Sequence, residues 1–136
     1  MRNFYIIFVG LMCLAPLSAV AGAIVAAKDS PVAVASVDDA KKVFLGRETS
    51  SGGKTLTLIY QKNASVRGDF ESKVLGKTGA DLAAYWTKLI FSGKATAPTE
   101  VADDAAVKAK LKGNPGAIGY ISDAAVDDSV KVLLKY

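Results

Sequence analysis

The residues with the most chemistry to offer lie within one short stretch, Gln61-Lys62-Asn63-Ala64-Ser65-Val66-Arg67. It sets two carboxamides, a hydroxyl and a guanidinium at alternate positions. Before it, Leu56 to Tyr60 alternates as a half-buried strand does. After it, Val66, Phe70, Val74 and Leu75 recur at helical spacing, which predicts a helix from Ser65 that Gly76 ends. A strand passing into a helix behind a serine leaves first-turn N–H groups without intrahelical acceptors. The helix dipole adds partial positive charge there, and Arg67 adds a full one. This arrangement suits a small oxyanion, with Ser65 and the N–H groups of Val66 and Arg67 binding it and Asn63 and Gln61 orienting it. The same residues also make an ordinary β-α connection with a serine N-cap.

The elements that must carry this stretch are legible around it. Ala23 to Ala27 reads as a first strand, broken by Lys28-Asp29-Ser30-Pro31, with Val32 to Val34 as a further extended stretch. Ser36-Val37-Asp38-Asp39 is a capping box, and the helix behind it buries Val37, Ala40, Val43 and Phe44 and stops at Gly46. Arg47 to Lys54 is polar and glycine-rich; it lacks the spacing of a phosphate-cradling loop and reads as a mobile surface loop. Thr78-Gly79-Ala80-Asp81 repeats the capping box, and Leu82, Tyr85, Trp86, Leu89 and Ile90 recur at helical spacing in the next helix, with Trp86 and Phe91 in packing roles. Ala95 to Thr99 is a connector. Asp103 or Asp104 opens a helix whose Lys108, Lys110 and Lys112 form a solvated face. Ala117 to Ile121 is a strand in which Gly119 permits close backbone approach. Asp123 to Asp128 makes a helical turn, and Val130 to Leu134 is the last strand. The order β-α-β-α-α-α-β-β, without internal repeats, implies an α/β domain with a mixed, mostly parallel sheet covered by helices in a three-layer sandwich.

The first residues read differently. Met1-Arg2-Asn3 is a short basic start, Phe4 to Leu17 is apolar, and Ser18-Ala19-Val20-Ala21 suits cleavage after Ala21. Residues 1–21 are therefore expected to be a secretory signal peptide, and residues 22–136 a single domain. Cys13 follows Met12 inside the apolar run, so lipid attachment is not expected. The chain has no histidine, and its one cysteine lies in the leader. Without Arg2, the 17 basic residues fall by one against 13 acidic, a net charge of +3. No Lys/Arg run marks a nucleic-acid partner. Export without disulfides points to a periplasm. Cysteine and histidine metal sites and Ser-His or Cys-His catalysis are excluded by composition; neither metal nor cofactor is expected. The aspartate pairs 38–39 and 103–104 fit helix capping, Asp127-Asp128 falls in a turn, and Lys62 with Ser65 lacks any recognisable oxyanion hole. No enzymatic activity is expected.

Phe44-Leu45-Gly46-Arg47 after a capped helix resembles the "IFxGK" segment of periplasmic phosphate-binding proteins, and Asn114-Pro115-Gly116-Ala117-Ile118-Gly119-Tyr120 resembles their "pGAIGY" segment. Between them, Ser65 falls where that family carries an R-S-D-G-S-G-T phosphate loop. The resemblance covers nearly all of the mature chain and implies one lobe of a type-2 periplasmic binding protein (PBP-like domain), a substrate-binding protein of an ABC transporter. Aligned on Ser65, the family arginine falls on Gln61, its aspartate on Asn63, its second glycine on Val66 and its threonine on Arg67. The resemblance thus implies an exported, solute-binding-like protein for phosphate or a similar oxyanion, with an ABC permease or envelope protein as partner. The complete family members close two lobes on the ligand; a homodimer touching near Trp86 is one way to supply the second wall. The alternative is a periplasmic interaction protein that keeps the lobe and has lost its ligand.

Overall fold

The computed structural model describes residues 22–136. The expected signal peptide and its cleavage site lie outside the described residues.

Five strands form the central sheet: β1 (Gly22–Ala27), β4 (Thr57–Gln61), β5 (Thr99–Val101), β6 (Ala117–Ser122) and β7 (Val130–Lys135). Their spatial order is β5-β4-β6-β1-β7. β4 pairs in parallel with β5 and β6, while β1 runs antiparallel to β6 and β7. Four strands therefore share one direction and β1 alone is reversed, the mixed, mostly parallel sheet that the element order implies. β1 is buried along its whole length. It lies between two neighbours with both faces covered, which is why its sequence is a continuous apolar run rather than an alternating one.

Residues of alternate parity feed two cores. On one face Ile24, Tyr60, Ile118 and Tyr120 meet Val43 and Phe44 of α1 (Val37–Phe44), Val66 and Phe70 of α2 (Ala64–Phe70), and Leu82 and Trp86 of α3 (Gly79–Phe91). On the other, Ala23, Val25, Ile59, Ala117 and Ile121 meet Val107 and Leu111 of α4 (Asp104–Leu111). The result is three layers. The first core is aromatic: Phe70 stacks on Tyr120 at 3.8 Å between centroids, and Phe44 meets Phe70 edge-on at 4.8 Å. Such pairs contribute about 0.5–1.5 kcal/mol each beyond burial. The second core is thin because Gly119 lets α4 sit against the sheet; a Cβ there would stand 2.7 Å from Val107 Cγ1.

Several local expectations change. Ser36 caps α1, accepting from the Asp39 N–H at 3.2 Å, but Val37 is exposed rather than buried. Residues 28–35 are not a strand, although Val32 and Val34 are buried. The Arg47–Lys54 loop contains a hairpin, β2 (Ser50–Ser51) with β3 (Lys54–Thr55), joined by Gly52 and Gly53 at positive φ. Two glycines between short strands favour that turn, and Ser51 Oγ accepts from the Ala33 N–H at 3.2 Å to pin it down. β5 replaces part of the connector; an edge strand of three residues after Pro98 carries too little pattern to be read. Thr78 makes no side-chain cap at α3. Phe91, expected in packing, is 94% exposed, whereas Trp86 is buried. Lys108 leaves the expected solvated face: its Nζ donates to Asp127 Oδ2 at 2.8 Å and to the Ala125 carbonyl.

Candidate ligand-binding site

β4, β5 and β6 end at one edge of the sheet, and α2 and α4 begin there. In open α/β sheets, ligands sit beyond the carboxyl ends of parallel strands. The expected residues all lie at this edge, but they do not act as one cluster.

The helix starts one residue earlier than expected, at Ala64, and its N-cap is Asn63, not Ser65. Asn63 has the extended backbone of a cap, and its side-chain oxygen accepts from the Val66 N–H at 3.3 Å. An asparagine two residues ahead of a serine is an equally good cap, and the sequence alone does not rank them. Ser65 therefore lies in the first turn, with its side chain exposed. Val66 is buried in the aromatic core, and its N–H is directed at Asn63. The Arg67 N–H closes the first helical turn on the Asn63 carbonyl at 2.9 Å. Of the donors expected to bind an anion, Ser65 stays open while the Val66 and Arg67 N–H groups have acceptors within the chain.

Gln61 is fully buried and turned away from that opening. Its Nε2 donates to Asp104 Oδ1 at 2.8 Å and to the Tyr120 carbonyl at 2.7 Å. Asp104 in turn accepts from the Ser122 N–H at 3.1 Å and from Ser122 Oγ at 2.6 Å. Burial pushes the Asp104 carboxyl up, but the hydrogen bonds from Ser122 and Gln61 outweigh it and hold the group below the usual carboxylate range. This Gln61-Asp104-Ser122 lock ties β4, α4 and β6 together at the edge. Nothing in the spacing of Gln61, Asp104 and Ser122 announces it, because the three meet only through the strand order.

The Arg67 side chain lies over the Tyr60 ring, 5.7 Å from its centroid. Its Nε pairs with Glu71 Oε1 at 2.9 Å and its Nη1 with Glu100 Oε1 at 3.1 Å. Burial works against the guanidinium's charge, but the hydrogen bonds to Glu71 and Glu100 more than offset it and raise its pKa. Glu71 is itself buried, because the helix continues from Phe70 as a π-helical turn, Glu71–Leu75, before Gly76 ends it. The pairing of Arg67 with Glu71 follows from i,i+4 spacing; that with Glu100 depends on β5. Arg67, Glu100, Tyr60, Leu82, Trp86 and Ile90 line a cavity of about 410 Å³ between α2, α3 and the start of β5. A neighbouring cavity of about 530 Å³ lies along Thr55–Leu58 and Gly93–Pro98 and shares Trp86, Ala97 and Pro98 with it. Among the described residues no group of three or more histidine, cysteine or acidic side chains is placed to hold a metal ion.

No protein-family model matches the sequence, and no curated protein matches it. Solved structures do. One is a phosphate ABC transporter substrate-binding protein from Clostridium perfringens, solved with bound phosphate, at TM-score 0.64 and 21% identity over 84% of this chain and 45% of that one. An ABC-type phosphate transport receptor from Vibrio cholerae gives TM-score 0.64 and 22% identity over 84% of this chain and 46% of that one. PstS from Borrelia burgdorferi gives TM-score 0.60 and 12% identity over 84% and 47%. The chain thus has the α/β fold of phosphate-transporter substrate-binding proteins, matching a PBP-like lobe as the sequence resemblance implied. It spans about half the length of the structures it matches.

Proposed function

We propose that this chain is an exported, non-enzymatic solute-binding-like protein whose ligand face is the sheet edge at the start of α2, with phosphate or a similar oxyanion as ligand. The observation that carries this reading is the β4-to-α2 passage: a helix opens at the carboxyl end of a parallel strand with no acidic residue in its first turn and with Ser65 exposed. The fold shared with proteins named for phosphate transport supports it. In this reading Ser65 Oγ and the leading amides of the first turn hold the oxyanion, while the N–H groups of Val66 and Arg67, already bonded to Asn63, add only the field of the helix end. Asn63 fixes the start of the helix, Gln61 holds the strand end through Asp104, and Arg67, paired with Glu71 and Glu100, contributes only its remaining N–H donors.

Affinity follows from the geometry. An open helix terminus contributes about 0.3–1 kcal/mol per charge interaction, and Glu71 and Glu100 already neutralise Arg67. Binding by this wall alone is therefore expected at millimolar ligand or weaker, where about −4 kcal/mol is needed. A second wall, from an ABC permease, an envelope partner or another copy, would exclude water and strengthen each hydrogen bond. A periplasmic location accompanies this reading. Calorimetry with phosphate and sulfate on the wild type, Ser65→Ala and Arg67→Ala tests it. Weak heat that either substitution abolishes supports it, and no heat with either anion at tens of millimolar contradicts it.

A further inference from the structure

The 410 Å³ cavity combines an apolar body with a charged mouth. Tyr60, Leu82, Trp86, Ile90 and Pro98 supply the apolar walls; Arg67 and Glu100 are its charged residues. Its size falls in the range of small-molecule sites, about 300–1,000 Å³. Arg67 spends Nε on Glu71 and Nη1 on Glu100. A guanidinium has five N–H donors, so donors remain for a ligand. Glu100 keeps 46% of its side chain exposed and meets Arg67 through Oε1, leaving Oε2 for another donor.

The charges select the ligand. At the mouth one guanidinium meets one carboxylate, Glu100, while buried Glu71 holds Arg67 from behind, so no surplus positive charge is left there for a simple anion. A neutral apolar ligand would desolvate Arg67 and Glu100 without replacing their water, which is costly. A zwitterion meets both needs: its carboxylate takes the remaining donors of Arg67 in a planar fork, and its ammonium takes Glu100 Oε2. We infer that this cavity binds a small zwitterion with an apolar body, the chemical class of an apolar α-amino acid. The site shares Arg67 with the oxyanion reading but uses neither Ser65 nor the α2 amides, so it stands or falls separately.

Trp86 is the only tryptophan of the chain and lines the cavity, so its fluorescence reports occupancy. The full chain is titrated with leucine and phenylalanine. Controls are 4-methylpentanoate, which lacks the ammonium, and 3-methylbutylamine, which lacks the carboxylate. Saturable binding of leucine is expected, with each single-charge analogue weaker by about tenfold or more, a cost of about 1.4 kcal/mol. Glu100→Gln, at an exposed position, should weaken leucine by a similar factor without weakening 4-methylpentanoate, and circular dichroism confirms its fold. No saturable change with either amino acid in the millimolar range, analogues that match leucine, or Glu100→Gln behaving as wild type would each overturn the inference. Phosphate calorimetry on the same samples reports separately on the oxyanion reading.

Discussion

Helices α2 and α4 start at the carboxyl ends of neighbouring parallel strands, yet the chain treats their dipoles in opposite ways. At α4, Asp103 caps the Ala106 N–H at 2.9 Å, and Asp104 follows in the first turn. Two carboxylates answer the positive end, and Asp104 then locks β4 to β6. At α2 the cap is a neutral carboxamide, the first turn holds no acid, and Ser65 is exposed. A helix end that supplies its own anions has little to offer a ligand; one capped by neutral groups keeps its partial charge. The difference singles out α2 as the end with binding capacity left.

That contrast can be broken at several points. The largest effect is expected at the anchor of α2. Phe70→Ala removes the ring stacked on Tyr120 and packed against Phe44, and should cost about 3–5 kcal/mol in urea unfolding. Asp104→Ala comes next, at about 1–3 kcal/mol, because it strands the Ser122 and Gln61 donors. Its pH signature is specific. A carboxyl depressed in the folded state contributes stability that is present above its unfolded value, about 3.9, and is lost as pH falls through the folded value. Wild type should therefore lose its advantage over Asp104→Asn progressively below about pH 4. An unchanged difference down to pH 2 would show that the lock does not depend on the carboxylate. The caps rank last. Asn63→Ala and Asp103→Ala should each cost about 0.5–2 kcal/mol, but only Asn63→Ala should alter phosphate binding. Equal effects on binding would erase the distinction between the two helix ends.

Much of this layout was legible in the chain. The apolar run of β1, the alternation in β4, the Gly119 contact and the Gly76 stop each follow from local pattern, and the resemblance to a PBP-like lobe agrees with the matched structures. Local pattern failed where two candidates were chemically equal, as with Asn63 and Ser65 for the cap. It also failed where elements were too short, as with β5 and the Gly52-Gly53 hairpin. The candidate site was legible only as a stretch of sequence. Its electrostatics depend on Glu100 and Asp104, which lie 33 residues beyond Arg67 and 43 beyond Gln61. Strand order brings them in, and no spacing rule within the stretch anticipates them.

The start of α2 is the helix end proposed to accept an anion. Following backbone amide resonances of the 15N-labelled chain during a phosphate titration tests this directly. The expected result is saturable shifts centred on Ala64 to Arg67, with a millimolar midpoint, and no matching shifts at Asp104 to Val107. Shifts spread evenly over the lysine-bearing surface, or none at Ala64 to Arg67, would contradict it.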